Sequence, residues 1–290
     1  MDTHSITGDG FRANIRRSGA ELCSLRSGAE ELLWAAGPAW PRHAPNLFPI
    51  VGTLKGDRLH HEGRSYPMGR HGFARDRQFT WEERSADSCR LVLRDDAESR
   101  AVYPFAFQLE IAYRIAGNAL AVTFTLTNTG DVVLPASMGA HPAFRWPLRP
   151  AVAKDAHRLE FAEDEPAPIR RVGKDGLLLP NVFPTPIAGG VLKLDESLFA
   201  ADAIILDRPV SRSLRYTAPG CPTIVFSWDD GFPHFGIWSP PPTGLLCLEP
   251  WHGMSSPAEF DGEFADKPGL MLIPPGEERR AGFQIAVEAD

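Results

Sequence analysis

A hairpin pattern over residues 107–127 constrains the fold of this chain more than any other segment. Apolar residues alternate with polar or small ones over 107–115, and the alternation resumes over 120–126 on the other side of Gly117-Asn118. A period of two places one side of each strand in a core, and a Gly-Asn pair between two such runs is typical of a tight antiparallel turn. The segment therefore predicts a β-hairpin with one buried face.

Other short segments are apolar or alternating and are bounded by Gly, Pro or Asp, as strands are. We predict strands at Phe11–Arg16, Cys89–Leu93, Ala203–Leu206, Thr223–Trp228, Gly236–Trp238, Leu245–Leu248 and Phe283–Val287. No segment keeps a 3.6-residue period over helical length, so we expect only helical turns, near Asp195–Ala201 and Pro257–Ala265. With 26 glycines and 27 prolines favouring turns, the pattern predicts an all-β protein, a large antiparallel β-sandwich forming a single domain over residues 1–290.

Charge and cysteine usage exclude several classes of protein. The formal net charge of −7 at pH 7 disfavours binding to nucleic acid or to an anionic membrane surface. The four cysteines lack CxxC spacing, so the sequence indicates neither a zinc cluster nor a disulfide framework. The N-terminus has no apolar signal-peptide core, and no run is long enough to cross a membrane. We expect a cytoplasmic protein, monomeric or homodimeric.

Three segments carry polar residues that an ordinary sandwich would not need: Arg70–Arg75, Gly139–Phe144 and Leu248–Gly253. Taken singly, a His or Glu beside Gly or Pro is usually a structural loop residue. Together, His71, His141 and Glu249 stand at the edges of apolar strands, as residues of a concave site do. A carboxylate and an imidazole are also the usual pair for moving two protons near neutral pH.

Two other uses of these residues are less well supported. A metal site of His71, His141, His252 and Glu249 would need ligands from separate loops, because no HxxxH, HxH or HExxH spacing is present. We therefore predict no metal. A serine hydrolase would need the G-x-S-x-G turn, which is absent, and glycine-rich phosphate loops are absent as well.

Aromatic residues near the three segments fit a carbohydrate ligand. Trp251 follows Glu249 by two positions, and Phe144 and Trp40 lie in or before the same loops. Sugars present C–H faces that pack on aromatic rings, while their hydroxyls bind polar side chains. The alternative is that such rings fill the core, which we expect of Trp81, Trp146 and Trp228.

These motifs together resemble the aldose 1-epimerase (galactose mutarotase-like) superfamily, in particular its LacX-like bacterial branch. The resemblance covers most of the chain and lies in the segments Asn46–Gly52, Tyr66, His71–Arg75, Asn128–Gly130, Gly139–Phe144, Leu198–Leu206 and Glu249–Trp251. It implies a β-sandwich of the supersandwich type with a cofactor-free sugar site on its concave face. The implied reaction is the interconversion of the α and β anomers of a hexose.

Matched by position, the resemblance assigns roles to four residues. Glu249 corresponds to the general base and His141 to the general acid. His71 corresponds to a histidine that hydrogen-bonds the sugar, and Asp202 to a substrate-binding aspartate. Thr53 departs from the pattern, because the family usually has a substrate-binding arginine at that position.

Two arginines of the neighbouring loop, Arg70 and Arg75, offer a guanidinium in place of the one missing at position 53.

Ring opening also requires that Glu249 be ionised while His141 holds a proton. An enclosed aromatic site that raises the Glu249 pKa, with a carboxylate that keeps His141 protonated, would produce that state.

Two alternatives to a mutarotase acting on a free hexose stay open. Arg70, Arg75 and Arg77 cluster around His71, and guanidinium groups suit phosphate oxygens, which favours a hexose-6-phosphate mutarotase. Thr53 favours a non-catalytic carbohydrate-binding protein, although such a protein would have no use for both an acid and a base.

Overall fold

The structure, a computed structural model, describes residues 2–288 and is built almost entirely from strands. The strands, in chain order, are β1 (Thr3–Gly8), β2 (Phe11–Arg16), β3 (Leu22–Ser27), β4 (Glu30–Glu31), β5 (Asn46–Leu47), β6 (Arg58–His61), β7 (Arg64–Pro67), β8 (Thr80–Arg84), β9 (Ser88–Arg94), β10 (Phe107–Ala116), β11 (Ala119–Asn128), β12 (Leu134–Ala136), β13 (Met138–Ala140), β14 (Ala143–Arg145), β15 (Arg158–Phe161), β16 (Val191–Lys193), β17 (Ile204–Leu206), β18 (Ser213–Thr217), β19 (Thr223–Trp228), β20 (His234–Trp238), β21 (Leu245–His252), β22 (Met271–Ile273) and β23 (Glu278–Glu288).

Helical structure within residues 2–288 is limited to single turns. One α-helical turn, α1 (Ala97–Arg100), begins after Asp96, whose side chain accepts a hydrogen bond from the Ser99 amide. The 3₁₀ turns are Lys55–Asp57, Ala74–Asp76, Lys154–Ala156, Glu196–Phe199 and Phe264–Asp266. Among these helices, none has the length and apolar composition of a membrane span.

The predicted hairpin is confirmed. Strands β10 and β11 pair antiparallel around Gly117-Asn118, and the buried residues of both alternate with more exposed ones. The remaining predicted strands are also present: β9, β20, β21 and β23 are longer than predicted, and β17 begins one residue later. Strand β23 begins earlier than predicted because its charged residues Glu278–Arg280 continue the pairing with β11 on an exposed face. The second expected helical turn is shorter than predicted and covers only Phe264–Asp266.

Two large sheets form the predicted antiparallel sandwich. The first has nine strands in the order β16-β15-β18-β19-β23-β11-β10-β9-β8. The second has the order β17-β20-β21-β13-β5, and β14 also pairs with β21. Aromatic side chains join the sheets: the ring of Trp228 on β19 stacks on Phe235 of β20 at 4.2 Å between centroids, and Phe226 also contacts Phe235. The main core therefore lies between the two sheets.

The second sheet has another face, turned away from this core, and strand β21 supplies residues to both. Leu246 and Leu248 belong to the main core, whereas Cys247 and Trp251 pack in separate small clusters on the opposite face. Because side chains alternate along a strand, Glu249 shares the face of Cys247 and Trp251. The sheet thus presents a carboxylate on a rigid surface outside the main core.

Candidate active site

A cavity on this second face gathers residues from three strands, β17, β20 and β21, and from several loops. It encloses about 730 Å³ of empty space, its open mouth included. Its lining residues are Trp40, Val51, Gly52, Arg70, His71, Arg75, His141, Val172, Gly176, Asp202, Ala203, Ile205, Trp238, Glu249, Trp251 and Ser255. All predicted site residues except Phe144 are therefore brought to one cavity.

Glu249 is fixed in the middle of β21 and is 1% exposed. Burial raises the pKa of its carboxyl group well above the ordinary value, the negative charge of Asp202 raises it further, and the Trp251 indole opposes the rise. Removing a carboxylate from water disfavours its charged form, and a second carboxylate nearby has the same effect. Glu249 therefore binds a proton much more readily than a surface glutamate does.

His141 follows β13, and its Nε2 lies 3.3 Å from Oε2 of Glu249. Its ring stacks on Trp40 at 5.1 Å between centroids and meets the edge of Trp238 at 5.7 Å. Burial lowers the pKa of His141 to about 3, and the Arg75, Arg42 and Arg70 guanidinium groups act in the same direction. In the free site burial therefore favours the neutral form of His141, contrary to the expectation that a carboxylate keeps it protonated.

His71 is held in the cavity wall by the backbone of the preceding loop. The Gly52 amide donates to His71 Nδ1 at 3.1 Å, which leaves the ring proton on Nε2. Gly72 allows this arrangement: it has φ +69°, and a Cβ atom there would lie 2.2 Å from the Phe48 carbonyl oxygen. Burial and the charges around it lower the pKa of His71 well below its ordinary value. His71 is therefore a neutral hydrogen-bond donor.

Arg70 and Arg75 border the cavity next to the histidines. Arg70 Nε donates to Thr53 Oγ1 at 3.0 Å, and Arg75 donates through Nη2 to the Arg70 carbonyl oxygen at 2.7 Å. Burial, with the charge of Arg42, lowers the pKa of Arg75 to about 10 although Asp76 opposes the change. Thr53 thus contacts one of the two arginines that we expected to replace the missing guanidinium.

Asp202 and Trp251 line the cavity on the side of Glu249. Asp202 has φ +63°, and its Oδ1 accepts a hydrogen bond from the Ala203 amide at 2.7 Å. Trp251 is only 5% exposed and packs against Leu47, Val51 and other buried residues. It therefore contributes both to the cavity wall and to a small apolar cluster.

Phe144 does not reach the cavity, contrary to the prediction. It is fully buried on β14 and its ring meets Phe226 of the facing sheet edge-on. The strand alternates, so Ala143 takes the cavity side with Cys247 and Phe144 takes the core side. Trp146 and Trp228 are buried in the main core and Trp81 packs against it, as expected.

Several cavity residues were not singled out from the sequence. Trp238 lies on a strand that appeared to be ordinary core, and Val172 and Gly176 belong to the long connection between β15 and β16. A glycine followed by apolar residues in a long loop was the one signal for Gly176. Ser255 lies just beyond β21.

One group of side chains has the spacing of metal ligands. Single atoms of His141, Cys247 and Glu249 lie within 4.8 Å of one another. His252 is outside this group, and its Nδ1 is 3.0 Å from the Gly231 carbonyl oxygen. Burial, and secondarily Glu249, raise the pKa of the Cys247 thiol well above its ordinary value, which disfavours the thiolate that a metal requires. The donor set therefore suits proton transfer better than metal binding.

Comparison with known proteins gives consistent matches over nearly the whole chain. A family model described as aldose 1-epimerase matches residues 2–280. The plasmid form of protein LacX from Lactococcus lactis subsp. lactis is 34% identical over 298 residues, covering 98% of this chain and 99% of that protein.

Solved structures also match over nearly the whole chain. A galactose mutarotase related enzyme from Lactobacillus acidophilus has a TM-score of 0.91 and 31% identity, over 99% of this chain and 97% of that one. A galactose mutarotase-like protein from Lactobacillus casei has a TM-score of 0.91 and 27% identity, over 99% and 100% of the two chains. The predicted galactose mutarotase-like fold is therefore confirmed.

Proposed function

Because the chain belongs to the aldose 1-epimerase family, we propose that it interconverts the α and β anomers of a free hexose by opening and closing the pyranose ring. The observation that carries the proposal is the approach of His141 Nε2 to Glu249 Oε2 at 3.3 Å inside a cavity that also holds hydrogen-bonding side chains. An acid and a base beside each other are what the reaction needs, and each contributes on the order of 10²–10⁴ in rate.

The reaction exchanges two protons with the sugar. Glu249 removes the proton of the O1 hydroxyl while His141 delivers a proton to the ring oxygen O5. The C1–O5 bond breaks, a carbonyl forms at C1, and the open chain rotates about C1–C2. Closure on the other face of the carbonyl reverses both transfers, so each residue recovers its starting protonation state.

The cycle starts from the protonation states of Glu249 and His141. Burial disfavours the charged forms of both Glu249 and His141, so the free site favours a neutral imidazole beside a protonated carboxyl group. A bound sugar changes the balance: the O1 hydroxyl donating to Glu249 stabilises the carboxylate, and O5 accepting from His141 stabilises the imidazolium. Substrate binding therefore prepares the base and the acid together.

Three further residues hold the substrate in this proposal. His71 donates from Nε2 to a sugar hydroxyl, and Asp202 accepts from another. Trp251 offers an apolar surface for C–H groups. With Glu249 and His141, these side chains and the sugar account for all the steps of the proposed reaction.

A hexose 6-phosphate is the second candidate substrate, and the arginines support it. Arg70 and Arg75 line the cavity with His71 and His141, and the charge of Arg42 also lowers the pKa of both histidines. Arg77, which we had grouped with them, is not one of the lining residues: it pairs with Asp96 at 2.6 Å and with Glu98 at 2.7 Å.

Anomer exchange measured by NMR tests the proposal. Purified protein is added to glucose, galactose and glucose 6-phosphate at equilibrium, and the exchange rate is compared with the spontaneous rate in the same buffer. Faster exchange on a free hexose is the expected result. Exchange on glucose 6-phosphate alone would select the second candidate, and binding without any added exchange would overturn both in favour of a carbohydrate-binding protein.

A further inference from the structure

We propose that Thr53 is a positioning residue for Arg70, and that Arg70 held in this way selects the substrate through a pair of neighbouring oxygen atoms other than O1 and O5. The inference deepens the proposed function and rests on it for the identity of the ligand as a sugar. It assigns a use to the threonine that departs from the family pattern.

Thr53 is a fixed point in the cavity wall. Its side chain is buried, its amide donates to Ser255 Oγ at 3.2 Å, and its carbonyl oxygen accepts from the Ser256 amide at 2.9 Å. Both bonds join its loop to the chain segment beyond β21. The Oγ1 atom that accepts from Arg70 Nε is therefore held by buried backbone contacts.

Gly176 closes the other side of the arginine. It has φ +77° in a turn where its amide donates to the Gly173 carbonyl oxygen at 2.9 Å. A Cβ atom at this position would lie 2.2 Å from Arg70 Nη2 and 2.8 Å from Thr53 Oγ1. The guanidinium thus occupies the space that a side chain at 176 would fill, between the turn and Thr53.

This contact matters because Arg70 is an exposed residue. A free arginine at a cavity mouth samples many rotamers, and ordering it on ligand binding costs side-chain entropy. The hydrogen bond from Arg70 Nε to Thr53 restricts the arginine before the ligand binds, so less side-chain entropy is lost on binding. Such preorganisation raises affinity without any new contact to the ligand.

The donors that remain on Arg70 define what it can bind. With Nε used, the two terminal NH₂ groups are available, and no carboxylate of residues 2–288 lies within ion-pair distance of them. Two parallel N–H donors fit two adjacent oxygen atoms. Neighbouring ring hydroxyls and a phosphoryl group both offer such a pair, and O1 and O5 are already used by Glu249 and His141.

Substitutions at Thr53 test the positioning role. Thr53→Val removes the acceptor and keeps the shape, so we expect the KM of anomer exchange to rise about tenfold, the effect of losing a bond to a charged group. The kcat should stay within about twofold, because Arg70 does not transfer protons. Thr53→Ser keeps the hydroxyl and should restore the KM. The matched control is Thr217→Val, which removes a threonine hydroxyl bonded to Thr223 in the nine-stranded sheet.

Two glycine-to-alanine substitutions test whether the Arg70 guanidinium needs the space beside Gly176. Gly176→Ala should raise the KM at least as much as Thr53→Val does. Gly117→Ala is its control, since Gly117 also has a positive φ of +60° but its Cβ would meet nothing within 4 Å. If Gly176→Ala and Gly117→Ala raise the KM equally, backbone strain explains the result and the inference is contradicted.

Binding measured without turnover separates this inference from the proposed function. Dissociation constants for glucose, galactose and glucose 6-phosphate are measured by calorimetry in Glu249→Gln, with and without Thr53→Val, Arg70→Ala or both. Thr53→Val should weaken binding about tenfold alone and by less than about twofold once Arg70 is alanine. A larger loss for glucose 6-phosphate identifies the oxygen pair as phosphoryl, and a loss shared by all three sugars identifies ring hydroxyls.

The outcomes are distinct. Weaker binding in Thr53→Val with no anomer exchange in the wild type would overturn the proposed function and keep the inference. The inference would be overturned, whatever the exchange rate, if Thr53→Val left sugar affinity unchanged. It would also be overturned if Thr53→Val lowered the affinity as much in the Arg70→Ala background as it does with Arg70 present. A wild-type protein that binds none of the three sugars would overturn both.

Discussion

His141 and Glu249 approach to 3.3 Å, and their burial acts on the two groups in opposite senses. It lowers the pKa of the imidazole and raises the pKa of the carboxyl group. Two titratable groups this close affect each other's protonation, so their apparent pKa values belong to the pair and not to either residue. Proton transfer should therefore depend on both residues as one unit.

We expect Glu249→Gln and His141→Asn each to lower the kcat of anomer exchange by about 10²–10⁴ while leaving the fold intact. Both changes roughly preserve size, so the loss would report proton transfer. The double variant should be little slower than either single variant, because residues that act as a unit are not additive. NMR exchange rates and circular dichroism check this, with the surface substitution Glu160→Gln as control. Near-normal exchange in Glu249→Gln would refute the mechanism.

His71→Asn should affect binding more than turnover. An asparagine oxygen can replace Nδ1 as acceptor for the Gly52 amide, and asparagine tolerates the positive φ of 63° at this position. The Nε2–H donor is lost, so we expect the KM to rise about tenfold with a smaller fall in kcat. Steady-state exchange kinetics measure the two separately. A change in kcat alone would instead place His71 with the proton-transferring groups.

Sequence patterns identified much of the site because its key residues stand next to recognisable strand ends. His71, His141 and Glu249 each adjoin Gly or Pro beside an apolar run, and all three meet in one cavity. Gly176 could not be placed in this way, since its loop has no period that relates it to the sheet. Only the folded chain shows that it packs on Arg70 and Thr53.

The errors also have physical causes. Phe144 was assigned to the cavity from its distance along the chain, but the strand alternation turns it to the opposite face from Ala143. Arg77 is close to Arg75 in sequence, yet it points to the acidic pair Asp96 and Glu98. The protonation of His141 depends on the extent of its burial, which no local motif encodes.

Phe144 and Trp251 should respond differently to truncation. Phe144→Ala removes a fully buried core ring and should lower the free energy of unfolding by about 3–5 kcal/mol, with the KM of the folded protein unchanged. Trp251→Ala should lower stability and also weaken sugar binding, because the same ring belongs to a buried cluster and to the cavity wall. Urea unfolding and sugar titration of both variants decide this. Unchanged sugar affinity in Trp251→Ala would make Trp251 a core residue only.

Lys267 should make stability depend on pH above neutrality. It is 3% exposed, and its Nζ donates to the Met254 and Pro268 carbonyl oxygens at 2.7 and 3.3 Å. Burial lowers its pKa from 10.5 to about 8. Between these values the unfolded chain binds the extra proton, so the free energy of unfolding rises with pH across this window, by up to about 3 kcal/mol.

Comparison with Lys267→Met isolates this contribution, since the variant lacks the titrating group. Below pH 8 the lysine is charged in both states and the cost of burying the charge is fully present; above 10.5 it is neutral in both and the cost is absent. The wild type should therefore gain stability relative to Lys267→Met as the pH is raised from 8 to 10.5. Urea unfolding at several pH values measures this. As a control, Lys193→Met removes an exposed lysine of β16, and its free energy of unfolding should change with pH as that of the wild type does. If the free energy of unfolding of Lys267→Met also changes with pH as that of the wild type does, Lys267 has the same pKa in the folded and unfolded states and the prediction is wrong.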